Sequence, residues 1–127
     1  MSTQCGIAIK AEKGYKTIYV HSDGYPEYMW PMLTDWYGTQ ERAEALVSFG
    51  DASSIDKLLV PSQDSGHSFS NPEEGVCRFY HRDRGDSWSD CAPTTYFTKS
   101  GICSAFTYTY IWEDGSWHFY KGGRKTY

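Results

Sequence analysis

The sequence predicts an α+β fold, in which a small antiparallel sheet is covered by two helices. Three patterns indicate this class: an alternating apolar hairpin near the N-terminus, two amphipathic helical segments in the first half, and an aromatic hairpin near the C-terminus. With a central strand between the hairpins, we expect about four or five strands in the sheet. The 127 residues have the length of a single domain, covering residues 1–127.

The N-terminal segment has the pattern of a β-hairpin. With a two-residue turn at 13–14, Ile9 faces Ile18 and Ile7 faces Val20. These four apolar side chains share one face of the sheet, so we expect that face to lie in the core.

The first helix is predicted from an apolar stripe at helical spacing. The stripe consists of Met29, Met32, Leu33 and Trp36. Pro31 conflicts with a helix that begins at Pro26, because the ring of Pro31 would collide with the carbonyl of Glu27. Either the helix begins near Pro31, or its first turn is irregular.

A second helix follows the first. Thr39 is the expected N-cap, Glu41 lies in the first turn, and Gly50 comes just after the end. The inner face of this helix consists of Ala43, Leu46 and Val47. Beyond Gly50 we expect a short turn, capped by Asp51 or by a serine at 53 or 54. Its apolar side chains are Ile55, Leu58 and Leu59.

The middle of the chain is expected to hold a loop and the central strand. Residues 61–75 have the composition of a loop, and residues 76–82 alternate as a strand does. One strand face would carry Cys77, Phe79 and His81, and the other Arg78, Tyr80 and Arg82. Pro93 and Gly101 argue against one long element over residues 83–104.

The C-terminal segment has the pattern of an aromatic hairpin. With its turn at 114–115, Trp112 pairs with Trp117 and Tyr110 pairs with Phe119. The same face is expected to continue through Tyr108 and Phe106.

The charge distribution limits the possible partners. The net charge is -4, and residues 1–75 carry five basic and eleven acidic side chains. A chain this acidic lacks the broad basic face that long nucleic acids require, although a few arginines suffice for a small anion. The N-terminus has no signal-peptide pattern, and no run is apolar enough for a membrane span. Without an export signal, the four cysteines are expected to be reduced thiols.

Residues 81–86 read HRDRGD, which begins like the catalytic loop of protein kinases. In that loop an Asn follows the Asp five positions later, whereas this chain has Trp88 there. The glycine-rich fingerprints of phosphate and dinucleotide sites are also absent from the sequence, so no cofactor is expected. We therefore attribute the kinase-like letters to chance.

A metal site is a second possibility. His21 and Asp23, like His81 and Asp83, have a spacing that lets both side chains point the same way on a strand. Imidazole and carboxylate suit Zn²⁺ or Mn²⁺, but neighbouring arginines would repel a cation. We expect no bound metal.

An anion and base clamp is the third possibility. Arg78, Tyr80 and Arg82 share the predicted strand face, and Arg84 and Trp88 follow it. Arginine binds phosphate through a planar fork, and aromatic rings stack on bases. The alternative is that these arginines form ordinary ion pairs on a solvated face while Tyr80 packs.

Four segments together resemble a widespread family of small phage and prophage proteins. They are HSDGYPEYMWPMLTDWY, LVSFGDASSI, FYHRDRGD and the C-terminal hairpin. Members of that family carry His-x-Asp-Gly-Tyr, Gly-Asp-x-Ser-Ser and Arg-Asp-Arg-Gly segments in this order. The similarity covers nearly the whole chain, with departures at His81 and at Trp30–Pro31.

Small phage proteins of this kind resemble the nucleotide sponges that counter CBASS or Thoeris immunity. The resemblance implies a non-catalytic protein of the bacterial host cytoplasm that sequesters a cyclic dinucleotide, a cyclic trinucleotide or a cyclic ADP-ribose isomer. The implied ligand residues are Arg78, Arg82 and Arg84 for phosphates, with Tyr25, Trp30, Tyr80 and Trp88 for bases. Tight capture favours an enclosed pocket, so we expect a homo-oligomer, most simply a dimer.

Two other functions stay open. One is a metal-dependent phosphodiesterase-like hydrolase of such a signal, which would use His21, Asp23, His81 and Asp83. The other is a protein-binding inhibitor of a host defence enzyme, which would need an exposed apolar or acidic patch.

Overall fold

The structure, a computed structural model, describes residues 3–122 and the backbone of 124–125. The strands are β1 (Cys5–Ala11), β2 (Gly14–Val20), β3 (Ala52–Ser54), β4 (Arg78–Phe79), β5 (Thr94–Tyr96), β6 (Tyr108–Glu113), β7 (Ser116–Lys121) and β8 (Arg124–Lys125). The helices are α1 (Pro26–Trp36), α2 (Gln40–Ser48), α3 (Tyr80–Arg84), α4 (Trp88–Cys91) and α5 (Lys99–Ala105). The predicted α+β class is confirmed.

The sheet is mixed, whereas an antiparallel sheet was predicted. Within the described residues its eight strands follow the order β4-β3-β2-β1-β6-β7-β8, and β5 also pairs with β2. β1 runs parallel to β6, and β2 runs parallel to β3. Parallel neighbours need a long crossover, and α1 and α2 supply it between β2 and β3. Local patterns do not reveal such a pairing, because the partners are far apart in sequence.

The first hairpin has the predicted inner face but a different register. Ile7, Ile9, Ile18 and Val20 are all buried in the main core. Ile7 pairs with Ile18, however, and Ala11 pairs with Gly14, so the turn lies one residue earlier than predicted. Gly14 is needed for a different reason: a Cβ atom there would lie 2.5 Å from the carbonyl oxygen of Tyr96, on the neighbouring strand β5.

The second hairpin has the predicted register. Trp112 pairs with Trp117 and Tyr110 with Phe119, as the turn at 114–115 requires. The Tyr108 ring stacks on Phe119 and continues this face, as predicted. The prediction for Phe106 is wrong, because this residue precedes β6 and packs in the second core, on the other side of the sheet.

Helices α1 and α2 cover one face of the sheet. α1 runs without a break from Pro26 through Pro31, so the late start is ruled out. Burial of Met29, Met32 and Leu33 outweighs the hydrogen bond that Pro31 cannot form. Trp36 is 44% exposed and lies outside this core, contrary to the predicted stripe.

Tyr37 takes the place predicted for Trp36 in the core. Its side chain is fully buried, and its carbonyl accepts a hydrogen bond from the indole of Trp117 at 2.9 Å. α2 follows the prediction: the Thr39 side chain caps it by accepting from the Arg42 N–H. Its buried residues are Ala43, Leu46 and Val47.

The opposite face of the sheet has its own core, which the sequence did not predict. Ile102 and Cys103 of α5 cover Ala8 and Ile111 there. Together with α1 and α2, this helix makes the protein three layers deep.

The central strand is shorter than predicted. β4 ends at Phe79, and the chain turns at Tyr80 into α3, so residues 80–82 are not a strand. The segment after α2 also differs, since residues 52–54 form β3 where a capped turn was expected. Leu58 is exposed, whereas Ile55 and Leu59 are buried as predicted.

The cysteines are free and buried at all four positions, Cys5, Cys77, Cys91 and Cys103. Among the described helices, none combines the length and apolar character that crossing a membrane requires.

Gly50 is a position where the fold demands glycine. Its φ is +84°, and a Cβ atom would lie 2.4 Å from the carbonyl oxygen of Cys91. Gly66 has a similar φ of +74° but open space around it. We expect Gly50→Ala to lower the free energy of unfolding by about 2–4 kcal/mol, and Gly66→Ala by about 1 kcal/mol. Urea denaturation measures both, and equal losses would contradict the close approach of α4.

Candidate functional site

The HRDRGD stretch forms α3 and the turn that ends it. Gly85 adopts the left-handed conformation at the helix C-terminus, with φ of 86°. At the other end of α3, the Asp83 carboxylate accepts a hydrogen bond from the Phe79 N–H at 2.7 Å. Arg84 and Asp86 form a two-bonded ion pair with distances of 2.9 and 2.6 Å. Both aspartates therefore hold the turn in shape.

Arg82 is part of the fold's interior framework. Its side chain is 22% exposed, and its guanidinium forms four hydrogen bonds. The acceptors are both carboxylate oxygens of Asp83 and the carbonyls of Cys77 and Leu59. The rings of Phe49 and Phe79 lie about 5 Å from the guanidinium carbon. The predicted role of Arg82 in binding phosphate is revised accordingly, because most of its donors are already engaged.

His67 anchors the long loop 61–75 to this framework. Its Nδ1 accepts a hydrogen bond from the Glu73 N–H at 2.9 Å, so the proton of the neutral ring lies on Nε2. That Nε2 lies 3.2 Å from the Asp83 carboxylate, an electrostatic contact without hydrogen-bond geometry. Burial alone would raise the pKa of Asp83, but hydrogen bonds from Arg82 and the Phe79 N–H outweigh it and hold that pKa below its ordinary value.

Arg78, Tyr80 and Arg84 come together around a side chain that sequence reasoning missed. Phe69, from the loop 61–75, stacks on the Tyr80 ring with 5.6 Å between centroids. The guanidinium of Arg84 lies over both rings, and that of Arg78 lies over Phe69. Arg78 also donates to the Phe69 carbonyl at 3.3 Å. Two guanidiniums and two rings thus form one stack within the protein.

Tyr25 and Trp30 lie in another part of the molecule. Tyr25 is the residue before α1, and its ring contacts Tyr28. Trp30 is on α1 and packs against the main core. The structure therefore does not assemble the seven predicted ligand residues into one pocket.

The four residues of the metal alternative are not assembled either. His21 Nδ1 lies 2.6 Å from the Tyr19 hydroxyl, and His81 Nδ1 lies 2.7 Å from the Asp86 carbonyl. Within residues 3–122, no group of three or more His, Cys, Asp or Glu side chains is arranged to hold a metal ion.

An open cleft of about 640 Å³ lies between α2, the first hairpin and the segment that joins α4 to β5. We call it the Trp88 cleft. It is lined by Ile9, Lys10, Ala11, Lys16, Glu44, Val47, Ser48, Trp88, Ala92, Pro93 and Thr95. Of the predicted ligand residues, Trp88 lines this cleft, and its side chain is 42% exposed.

Asp51 positions the wall of the cleft that carries Trp88. Its N–H donates to the Cys91 carbonyl at 2.8 Å, which fixes α4, and its carboxylate accepts from the Tyr19 N–H of β2 at 2.9 Å. Burial raises the pKa of Asp51, whereas the hydrogen bond from Tyr19 opposes that rise. The Trp88 ring is further held by an edge-to-face contact with His81 at 5.1 Å. The indole therefore has a ring partner in His81 while Trp88 stays 42% exposed.

One basic side chain of the cleft, Lys16, is exposed and can contact an anion, and Glu44 is the acidic side chain of the lining. Lys10 also lines the cleft, but its ammonium lies over the Tyr15 ring on the opposite face of the sheet, 4.7 Å from the ring centroid. An ammonium group attracts phosphate as a point charge, and an exposed indole offers a stacking surface. The cleft volume also lies in the range of small-molecule sites, about 300–1,000 Å³.

Lys16 and Lys10 were missed as site residues, although one signal was present in the sequence. Lys16 alternates with Ile18 and Val20, so it is a charged residue on the apolar face of the first hairpin. Pro93 and Thr95 had no such signal, because they reach the cleft through the pairing of β5 with β2.

Comparison with protein-family models, with curated proteins and with solved structures finds no match for this chain. The resemblance to small phage proteins stays a prediction.

Asp83 is expected to matter for stability, because its carboxyl is 3% exposed and joins α3, Arg82 and His67. Asp83→Asn should lower the free energy of unfolding by about 2–3 kcal/mol, since charged hydrogen bonds are lost inside the protein. The matched control is Asp86→Asn, whose ion pair with Arg84 lies in solvent and should change stability little. Thermal melts of both variants test this, and equal melting temperatures would contradict the framework role.

The effect of Asp83 should also depend on pH. Its pKa in the folded protein lies below the ordinary 3.8, so the stabilisation is complete above that value and is lost as pH falls through the folded pKa. The stability difference between wild type and Asp83→Asn should therefore be constant near neutral pH and shrink below about pH 4.

Proposed function

We propose that this protein binds a cyclic nucleotide signal in the Trp88 cleft and sequesters it without chemical change. The observation that carries the proposal is the combination of an accessible indole with the exposed Lys16 at one cavity of about 640 Å³. A base would stack on Trp88, and a phosphate would lie near Lys16. Base stacking contributes about 1–3 kcal/mol, and charge contacts add to it.

The proposed ligand set differs from the one expected from sequence. Trp88 is kept, and Lys16 replaces the arginines as the phosphate partner. Arg82 is left out because it supports the fold, whereas Arg78, Tyr80 and Arg84 already stack with Phe69. Tyr25 and Trp30 are left out because they do not line the cleft.

A binding role suits the groups that line the cleft better than catalysis does. Among the described lining residues, Glu44 and the two lysines are the ionisable side chains, and none of the lining residues is a His or a Cys. General acid–base catalysis normally uses a pair of groups with pKa values near the working pH. The cleft lacks such a pair on its described walls.

The biological setting is part of the same proposal. Sequestration of an immune signal by a phage protein would take place in the cytoplasm of the bacterial host. A homo-oligomer belongs to the proposal as well, because the cleft is open to solvent and a second copy could enclose the ligand.

The cleft is tested with two substitutions and two matched controls. Trp88→Ala and Lys16→Ala should each weaken binding about tenfold or more, because each removes about 1.4 kcal/mol or more of stacking or charge contact. Trp36→Ala and Lys57→Ala remove equally exposed side chains that do not line the cleft, and they should leave affinity unchanged. Isothermal titration with cyclic di-adenylate, cyclic tri-adenylate and cyclic ADP-ribose measures the effect. Wild-type affinity in both cleft variants would overturn the proposal.

The fate of the ligand separates sequestration from hydrolysis. After incubation and heat denaturation of the protein, the bound nucleotide should be recovered intact in the supernatant. Chromatography that detects a linearised or deaminated product would show an enzyme instead.

A second candidate function is protein binding, which one surface favours. Trp36, Leu58 and Val60 are exposed, and Arg42 donates to the carbonyls of both Trp36 and Lys57, which brings their segments together. If this apolar patch binds a host enzyme, Trp36→Ala should abolish capture while Trp88→Ala has no effect. The two variants therefore separate the two functions by opposite outcomes.

A further inference from the structure

We propose that the ligand site is a groove for two bases, in which Trp88 stacks one base, Phe97 stacks the other, and Lys16 contacts phosphate between them. This inference rests on the proposed function, since it assumes that the Trp88 cleft binds a nucleotide. Beyond the proposed function, it assigns a second stacking residue, Phe97, and predicts that the ligand has two bases.

A second hollow extends the Trp88 cleft along the sheet. It has a volume of about 340 Å³ and is lined by Ala11, Glu12, Lys13, Lys16, Thr95 and Phe97. We call it the Phe97 hollow. Ala11, Lys16 and Thr95 line both cavities, so the two form one continuous groove.

Phe97 is the most exposed of the large apolar side chains in the described part of the chain, at 77%. Covering an exposed apolar ring with a flat apolar surface lowers the free energy of the system. The backbone around Phe97 is nevertheless held on both sides. β5 ends at Tyr96, and Thr98 caps α5 by accepting from the Gly101 N–H at 3.0 Å. The ring is thus presented to solvent from a fixed position, as a stacking platform requires.

The register of β5 explains why the two platforms face the same groove. Residues 93, 95 and 97 alternate along the strand direction, and each of them lines the groove. Lys16 pairs with Thr95, and opposed residues of an antiparallel pair point to the same side of the sheet. The Lys16 side chain therefore lies between the part of the groove near Trp88 and the part near Phe97.

The groove has two lysines that can contact phosphates, Lys16 and Lys13, together with two acidic side chains, Glu12 and Glu44. The ammonium of Lys10 lies over the Tyr15 ring on the opposite face of the sheet. A mononucleotide would occupy one of the two hollows and contact one aromatic ring. A cyclic dinucleotide carries two bases and two phosphates, so it can use both rings and the lysines between them.

The test compares ligands with one and two bases on the same variants. Isothermal titration uses cyclic di-adenylate and cyclic di-guanylate, with adenosine and guanosine 5′-monophosphate as the one-base probes. Phe97→Ala should weaken binding of the better cyclic dinucleotide about fivefold or more and leave the monophosphates unchanged. Trp88→Ala should weaken both ligand types. Phe97→Tyr should keep wild-type affinity because the ring is retained, and Val60→Ala is the control for removal of an exposed apolar side chain outside the groove.

The outcomes separate failure of this inference from failure of the proposed function. If Phe97→Ala binds the dinucleotides as wild type does while Trp88→Ala is weakened, the site takes one base and the proposed function stands. If wild type binds neither the dinucleotides nor the monophosphates, this inference is overturned, and the proposed function then depends on binding of cyclic tri-adenylate or cyclic ADP-ribose. Equal wild-type affinity for one-base and two-base probes would also exclude the second platform. Thermal melts of each variant show that a lost affinity is not caused by unfolding.

Discussion

The arrangement of this protein depends on the hydrogen bonds of one residue, Asp51. Its carboxylate accepts from the N–H of Tyr19 in β2, its carbonyl accepts from the N–H of Tyr80 at the start of α3, and its own N–H donates to Cys91 at the end of α4. Three segments that are distant in sequence thus meet at one short stretch between α2 and β3. The carboxylate is buried at some cost, which its raised pKa reflects, and the hydrogen bond from Tyr19 offsets part of that cost. Without this junction, α4 would have no fixed place, and Trp88 would not form a wall of the cleft.

Arginine and lysine have different roles in this protein, because the chemistry of the two side chains differs. The guanidinium of Arg82 can bind several carbonyl and carboxylate oxygens at once, so it serves where the loop after β3, β4 and α3 must be joined. Arg84 and Arg78 are flat cations that stack well on Phe69 and Tyr80. Lysine holds its charge at the end of a flexible chain and stays hydrated, which leaves Lys16 available on the surface of the groove. A sequence rich in arginine near HRDRGD therefore points to the framework of the protein rather than to its ligand.

Part of the candidate site was visible in the sequence. Trp88 was expected to meet a ligand, whereas Lys16 was missed although it is a charge on an apolar strand face. The rest depended on β5, a strand of three residues that pairs with β2 and brings Pro93, Thr95 and Phe97 to the groove. Three residues are too few to give a reliable strand pattern, and nothing in them specifies β2 as the partner. The stack around Phe69 was equally hidden, because a lone aromatic residue in a polar loop has no periodic signal.

The sequence by itself determined the elements whose causes are local. The turn at 114–115 set the register of the second hairpin, Thr39 set the start of α2, and the apolar alternation of the first hairpin set its inner face. Tertiary structure decided the rest, because it involved contacts between distant segments. The close approach of Tyr96 to Gly14 accompanied the shift of the first turn, and the long crossover through α1 and α2 made β2 and β3 parallel. A strand ends, or a helix begins, where a neighbouring segment provides a better hydrogen-bond partner for the backbone. The N–H of Tyr80 has such a partner in the carbonyl of Asp51.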